Sequence, residues 1–352
     1  MTSLYSLVDS IGDWLLSLSD SAHPGQVRFC LQGNLIEAST QGGLAASCLA
    51  LKIAYQIGIW DQLGSDMRDG WIAHVCSFQC KRSGYFEDPT LLRFADRKIG
   101  WLWFKKDIAM RRAETRQAAA ALLGVGTTPL YPVTYIPHTP AAVLEYLDKL
   151  PWGKDPWGAG SHAGHLVFFL KLNAEVINQQ RLFNELLPVI LKYLDDLQDP
   201  RTGSWFRGDV PFNQQVNAAM KILTIYRLLQ QSFRWPERLI DLCLTMPDNR
   251  DACHSLDVLF VLHECAGWTS HRRDEIVAFA ERMLEHIQRH RKPDGAFSFY
   301  PEHANTTYYG VAVSQGLAES DVHGTHLLVW AITLCASLLG FQTELGWRFP
   351  VT

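Results

Sequence analysis

Apolar positions along the chain fall into two alternating kinds of helix. From Arg272 to His290, the residues Ile276, Val277, Ala280, Met283, Leu284 and Ile287 recur every three or four positions with charges opposite. This is the stripe of an amphipathic surface helix. Leu182 to Leu197 repeats the pattern, with Pro188 expected to kink that helix or mark its start. His326 to Leu339 and Leu166 to Leu172 are apolar nearly all round, as in helices buried on every side. The stretch from Asp107 to Leu123 has strong helix propensity and stops at Gly124. Between Gly124 and Pro140 the Gly, Thr and Pro content predicts a loop across a rim. Phe297 to Tyr300 is β-favouring but too short and isolated for a sheet.

Turn-like stretches then divide the second half of the chain at a nearly constant period. Landmarks at 151, 199, 247, 293 and 340 are 48, 48, 46 and 47 residues apart. A period of roughly 20–50 residues marks a repeat architecture. Three turns also resemble one another: Gln79 to Gly84 and Phe86, Gln198 to Gly203 and Trp205, and Gln288 to Gly295 and Phe297. Each runs from a helix end through a polar turn to a glycine, a spacer and an aromatic. The glycine suits a left-handed backbone position, and the aromatic can fold back to seal the rim. Alternating surface and buried helices at this period predict an all-α fold, an (α/α) toroid of helical hairpins in two concentric rings. Residues 1–40 read as an N-terminal helix and extension packed on a single toroid domain spanning 41–352.

Bulk composition narrows the function. The chain has 352 residues, 47% of them hydrophobic, enough for a large core. Charged residues are 19% and the formal net charge is −4, so no basic field exists to attract nucleic acid. Met1 to Leu18 lacks the features of a secretory signal and reads as an amphipathic helix. The longest apolar run, Leu327 to Phe341, is broken by Thr333 and Ser337 and reads as too short to cross a bilayer. The eight cysteines are scattered, and Cys76 and Cys80 have no second pair, so free thiols in a reducing cytoplasm are expected.

Polar residues gather at the starts of the buried helices. They are His162 and His165; Asn213 and Asn217; Asp251, His254 and Asp257; and Asp321, His323 and His326. Residues three or four apart share a helix face, so in a ring of parallel inner helices these groups converge on one mouth. Asp257 with His254, or Asp321 with His323, fits a carboxylate–histidine acid/base pair. Asp251 and Asp321 also suit N-caps. His162, His165, His254, Asp257, Asp321 and His323 supply enough nitrogen and oxygen for a divalent metal, although no compact ligand motif is present and no cofactor is expected. Asp195-Asp196-Leu-Gln-Asp199 matches a diphosphate-binding pattern, but Asp199 precedes Pro200 in a repeat turn and reads as structural. His286 and His290 are discounted as lying on the charged outer side of a surface helix.

The turns resemble those of the terpenoid-cyclase and protein-prenyltransferase toroids. Gln198-Asp-Pro-Arg-Thr-Gly203-Ser-Trp205 is similar to their Gln-x-Pro-Asp-Gly-x-Trp repeat. Pro293 to Phe297, followed by Glu319 to Thr325 and an apolar helix, is similar to a complete repeat. The likeness covers roughly residues 70–340. It implies an apolar central cavity for a small-molecule isoprenoid, with acid initiation by Asp257 or Asp321 assisted by His254 or His323. His162, His165, Asn217, Phe168, Tyr309, His326 and Trp330 are then the expected substrate-binding residues, and peripheral membrane contact is open. The cyclase Asp-x-Asp-Asp motif is absent, and in the prenyltransferase zinc pattern only Asp321 matches, with Ala296 and Gly324 in place of the cysteine and histidine. The alternatives are a carbohydrate-active toroid enzyme (glycosidase, lyase or epimerase), with Tyr308, Tyr309, Trp205 and Arg207 as companions, and a non-catalytic toroid binding a lipid or peptide. A dry aromatic tunnel favours isoprenoids; a wet polar cleft favours sugars.

Overall fold

The structure, a computed structural model, describes residues 2–20, 23–36, 43–90, 101–245 and 251–352. Among them the helices are α1 (Thr2–Ser17), α2 (Leu44–Gln56), α3 (Ser65–Ser77), α4 (Trp101–Gly124), α5 (Pro140–Asp148), α6 (Pro156–Val176), α7 (Gln180–Leu197), α8 (Phe212–Leu229), α9 (Pro236–Leu244), α10 (Ala252–Ala266), α11 (Arg273–Gln288), α12 (Val322–Leu339) and the one-turn α13 (Gln342–Leu345). Two antiparallel pairs accompany them, β1 (Ser19–Asp20) with β2 (His23–Val27) and β3 (Thr307–Tyr308) with β4 (Val311–Ala312).

The even-numbered helices pack in the order α2, α4, α6, α8, α10, α12, and α12 returns to α2. Their neighbours rise together: Gly160 faces Ala218 and Gly164 faces Thr224 between α6 and α8, while Asn217 meets Asp257 and Arg227 meets Glu264 between α8 and α10. The inner helices are therefore parallel and form a closed ring. The odd-numbered helices α1 to α11 stand outside, each burying one face. On α11 that face is Ile276, Phe279, Ala280, Met283 and Ile287. The expected (α/α) toroid with two concentric rings is the observed fold. α1 takes an outer position: Ile11, Trp14, Leu15 and Leu18 enter the common core, and the Ser10 hydroxyl donates to Gly295 O at 2.9 Å.

The repeat turns share one construction. The side-chain nitrogens of Gln79 and Gln198 donate to the carbonyls of Gly84 (3.0 Å) and Gly203 (2.7 Å), five residues on. Each also reaches a second strand of chain, at Tyr131 O and Arg234 O, both at 2.7 Å. Backbone bridges join Gln79 to Phe86, Gln198 to Trp205 and Arg291 to Phe297. In the third copy Arg291, not Gln288, occupies the equivalent position. Gly84, Gly203 and Gly295 all have left-handed φ, 72°, 75° and 108°, and the three aromatics are buried. The Trp205 indole N–H donates to Leu194 O at 3.0 Å and that of Trp152 to Leu147 O at 2.8 Å. Leu194 O and Leu147 O also accept from Gln198 N (3.1 Å) and Leu150 N (3.2 Å), so each indole adds a second donor to a carbonyl at the end of an outer helix. The turn expected at 247 lies outside the described residues.

Other expectations meet the structure unevenly. α7 continues through Pro188. The loop after Gly124 crosses to Gln79, whose Oε1 accepts from Leu130 N at 2.7 Å, and to Asn173, whose Oδ1 accepts from Val133 N at 2.9 Å. α12 is 18 residues long and apolar enough to span a bilayer, contrary to the reading of its sequence, but 83% of it is buried as an inner-ring helix. His290 is wholly buried and paired with Ser298 O at 3.0 Å, so it does not lie on an outer charged face. None of the eight cysteines forms a disulfide.

Candidate active site

The ring is floored at the C-terminal ends of its helices. Arg348 N donates to Gln56 O at 2.8 Å on α2. The Phe349 ring lies 4.7 Å from the Arg227 guanidinium on α8 and 5.2 Å from His263 on α10. Thr352 O accepts from Lys52 Nζ at 2.9 Å. Since α2 and α8 lie opposite one another, residues 348–352 cross the ring. His162, His165, His254, Asp257, His323 and His326 stand nearer the N-terminal ends of their helices, away from that floor.

Each inner helix contributes at least one ionisable group to that interior. They are Lys52 (α2), Glu114 and Arg116 (α4), His162 and His165 (α6), Lys221 (α8), His254 and Asp257 (α10), and His323 and His326 (α12). Their fields overlap. Lys221 acts on Lys52, His165, Asp257 and His323, while Arg116 acts on Lys52, His165 and His326. Lys52 is driven down to about 7 by burial and then by Arg116. His162 and His323 fall to about 4, and His165 and His326 are held well below the ordinary imidazole range, burial being the main cause in each. These imidazoles are neutral hydrogen-bonding groups. The His323 Nδ1 faces the Asn305 amide nitrogen at 3.0 Å, which leaves its proton on Nε2. His326 Nδ1 meets Gln56 Oε1 at 3.0 Å.

Glu114 is the group that the sequence reading missed. It is 2% exposed, and neither carboxyl oxygen closes a hydrogen bond of ordinary geometry. Burial, then the Asp88 carboxylate, pushes it up to about 8, with the Tyr308 phenol pulling the other way. At neutral pH it holds its proton. Among the described residues Arg116 and Lys221 have no ion-pair partner, and burial lowers the Arg116 guanidinium. The Lys221 ammonium stands 5.6 Å from the ring of Trp157, which is 38% exposed.

Asp257 and Asp321 separate into different roles. Asp257 is buried, with one carboxylate oxygen unpartnered and the other 3.3 Å from the Asn217 amide nitrogen once that amide also donates to Asn213 O. Burial raises it to about 6, against Lys221 and His254. Asp321 caps α12. Its carboxylate accepts from Gly324 N (2.8 Å), Phe299 N (2.8 Å) and Asn305 N (3.0 Å). Burial raises it to about 6 even so, but it is fully enclosed and its acceptor positions are taken by the backbone. The expected role of Asp321 as initiating acid is corrected to that of a structural clamp. His254 pairs with the cap residue Asp251 (Nδ1 to Oδ2, 2.8 Å) instead of Asp257, and this bond raises its pKa.

The remaining expected residues divide in the same way. His165 stacks on Phe169 at 6.1 Å, its Nε2 3.4 Å from the Ser161 hydroxyl. Phe168 and Trp330 are core, packed edge-on against Phe169 and Phe260. Trp205 is fully buried and Arg207 pairs with Asp148 at 2.8 Å, so neither serves the site. Asp199 binds Arg201 within its own turn. Among the described residues no three His, Cys, Asp or Glu side chains converge as metal ligands, so the suggested histidine–aspartate metal cluster is not assembled.

No protein-family model matches the chain, and no curated protein sequence matches it. Solved structures of similar layout include a polysaccharide lyase (13% identity, 97% of this chain and 99% of that chain covered, TM-score 0.48). Another is an unsaturated glucuronyl hydrolase from Streptococcus agalactiae complexed with dGlcA-GalNAc6S (12%, 98% and 92%, TM-score 0.46). A third is a glycosyl hydrolase family 88 protein from Bacteroides vulgatus (11%, 96% and 98%, TM-score 0.42). All three are enzymes named for acting on saccharides, and the feature they share with this chain is the arrangement of helices. The expectation of an isoprenoid substrate and a terpenoid-cyclase activity is corrected. The ring interior carries lysine, arginine, glutamate and histidine where an apolar, aromatic tunnel was required. What stands of that expectation is the toroid, not the activity.

Proposed function

We propose that the protein is an enzyme that cleaves glycosidic bonds in an acidic saccharide bound at the open mouth of the ring. The observation that carries this reading is Glu114, a buried carboxylic acid that is protonated at neutral pH and stands among phenols and unpaired cations. Breaking a glycosidic bond requires a proton for the departing oxygen, and a carboxyl raised toward neutrality by burial is suited to supply it. Arg116 and Lys221 offer charge to a carboxylate or sulfate on the sugar. Trp157 and Tyr309, 38% and 51% exposed, offer ring faces on which sugars stack. The neutral histidines offer donors and acceptors to hydroxyls, and the Asp251–His254 pair, with its imidazole held by a carboxylate, is suited to accept a proton.

The test is release of new reducing ends from acidic and neutral oligosaccharides by the wild-type chain and by Glu114→Gln. Cleavage of an acidic substrate that the variant does not perform supports the reading. No cleavage of any saccharide, or equal cleavage by the variant, overturns it.

A further inference from the structure

The imidazole of His323 is held by protein along one edge. Among the described residues it makes one side-chain hydrogen bond, from Nδ1 to the Asn305 amide nitrogen at 3.0 Å. The same nitrogen donates to Thr307 O at 2.9 Å. A backbone carbonyl can only accept, so this contact fixes which end of the Asn305 amide carries the hydrogens. With one N–H on Thr307 O, the other is directed at His323 Nδ1, which must accept it. A proton on Nδ1 would point at that N–H, so the amide excludes both the other tautomer and the imidazolium. The ring is left neutral, with its proton on Nε2 and no protein partner there.

The surroundings hold this arrangement rigid. Asn305 is buried; its N–H donates to Asp321 Oδ2 at 3.0 Å and its carbonyl accepts from the Ser314 hydroxyl at 2.8 Å. The β3–β4 hairpin packs on the imidazole. Its register pairs Tyr308 with Val311, so Tyr309-Gly310 form a two-residue turn with positive φ, 48° and 80°. Tyr308 is buried, its ring edge-on to His323 at 5.6 Å, and Phe299 lies 5.0 Å from the same imidazole. With Nδ1 bonded and two aromatic rings against it, the imidazole presents Nε2–H in one direction. His323 is half-buried, and Lys221 on α8 acts on it although α10 stands between α8 and α12, which sets it at the ring interior. Tyr309, edge-on to Tyr308 at 4.6 Å and 51% exposed, offers an aromatic face nearby.

We propose that His323 is a substrate-binding residue whose Nε2–H donates to an oxygen of the bound saccharide, and that Asn305 is the positioning residue that keeps it a donor. The contact rests on the reading of the ring interior as a saccharide site. His254, on the neighbouring inner helix α10, has the opposite arrangement. Its Nδ1 meets the Asp251 carboxylate at 2.8 Å, and a carboxylate can only accept, so Nδ1 carries the proton and the neutral ring offers Nε2 as an acceptor. The two histidines therefore divide the work. His254 is free to take a proton, whereas Asn305 keeps His323 from doing so and reserves it for an acceptor oxygen of the sugar.

The experiment combines NMR of the histidine ring nitrogens, with the His323 signals assigned by their loss in His323→Phe, and kcat/KM on an acidic oligosaccharide. The wild type is expected to show His323 neutral and protonated on Nε2 at neutral pH. In Asn305→Asp a carboxylate accepts where the amide donated, so the proton is expected to move to Nδ1 or the ring to become charged. His323→Phe keeps the packing against Phe299 and Tyr308 but has no donor, and kcat/KM is expected to fall about 10-fold, the worth of one hydrogen bond. Asn305→Asp is expected to lose as much, and the double variant no more than either alone. A wild-type ring protonated on Nδ1, or charged at neutral pH, overturns the proposal even if no variant folds. An unmoved proton in folded Asn305→Asp overturns the role of Asn305. Wild-type kcat/KM in His323→Phe overturns the contact while leaving cleavage in place. If the wild type cleaves no saccharide, the contact falls with the reading of the function, and the spectra still decide whether Asn305 sets the tautomer.

Discussion

Replacing Glu114 by Gln tests the protonation state on which the account depends. The glutamine amide mimics the neutral acid in shape but cannot ionise. In the folded chain Glu114 titrates near 8 against an ordinary value of 4.5, and in the unfolded chain it ionises at the ordinary value. The folded state therefore binds the proton more tightly. The stability owed to that proton is complete below about 4.5 and is lost as pH rises to about 8. At roughly 1.4 kcal/mol per pKa unit, the full loss is about 5 kcal/mol, an upper bound because buried sites relax around charge. For a chain of this length that corresponds to a melting shift of about 7 °C. The assay is thermal unfolding of both proteins from pH 4 to pH 9. The Gln variant is expected to gain on the wild type steadily through that window and to level off above pH 8. A constant gap across the range would show that Glu114 is solvated and ionised at neutral pH, and the acid role would fail.

Three further outcomes follow from the geometry. Asp321→Ala removes the acceptor for three backbone N–H groups and is expected to destabilise the fold by about 2–4 kcal/mol, measurable as a lower denaturant midpoint; a loss of turnover with unchanged stability would restore Asp321 as a reacting group. Gly84→Ala places a Cβ 1.9 Å from Pro132 O at φ 72°, so unfolding at lower denaturant, by several kcal/mol, is expected, and wild-type stability would contradict the turn. Asp251→Asn takes away the carboxylate that raises His254, so the His254 titration followed by NMR should move to lower pH; no movement would show that the pair does not hold in solution.

The fold was legible because the toroid is written in two periods, the helical repeat of three to four and the hairpin repeat near 47. The turns Gln79 to Phe86 and Gln198 to Trp205 are recognisable as copies because in both the glutamine bonds the glycine carbonyl and the aromatic is buried. The third copy misled slightly, since its turn is one residue shorter and an arginine stands at the glutamine position. The polar interior was partly legible: His162, His165, His254, Asp257, His323 and His326 all stand in the first half of an inner helix, and Lys221 is close enough to act on His165, Asp257 and His323. Their pairings were not, because spacing along one helix does not show which neighbour crosses from the next. Asp251 and Asp321 were visible as caps, and that is where the structure puts both. Glu114 and Arg116 escaped notice inside the Ala-rich run after Met110, where charges read as helix-forming surface residues. Lys52 and Lys221, lone charges among apolar residues, carried a signal that could have been used. Tyr309 was singled out from the sequence, but its left-handed backbone angle was not, because no residue pattern reveals it.

The most direct test of the central claim is a crystal structure of Glu114→Gln with an uncleaved acidic oligosaccharide. The sugar is expected inside the ring, with its acidic group on Arg116 or Lys221. A saccharide bound only on the outer helices, or an interior that excludes it, would contradict the account.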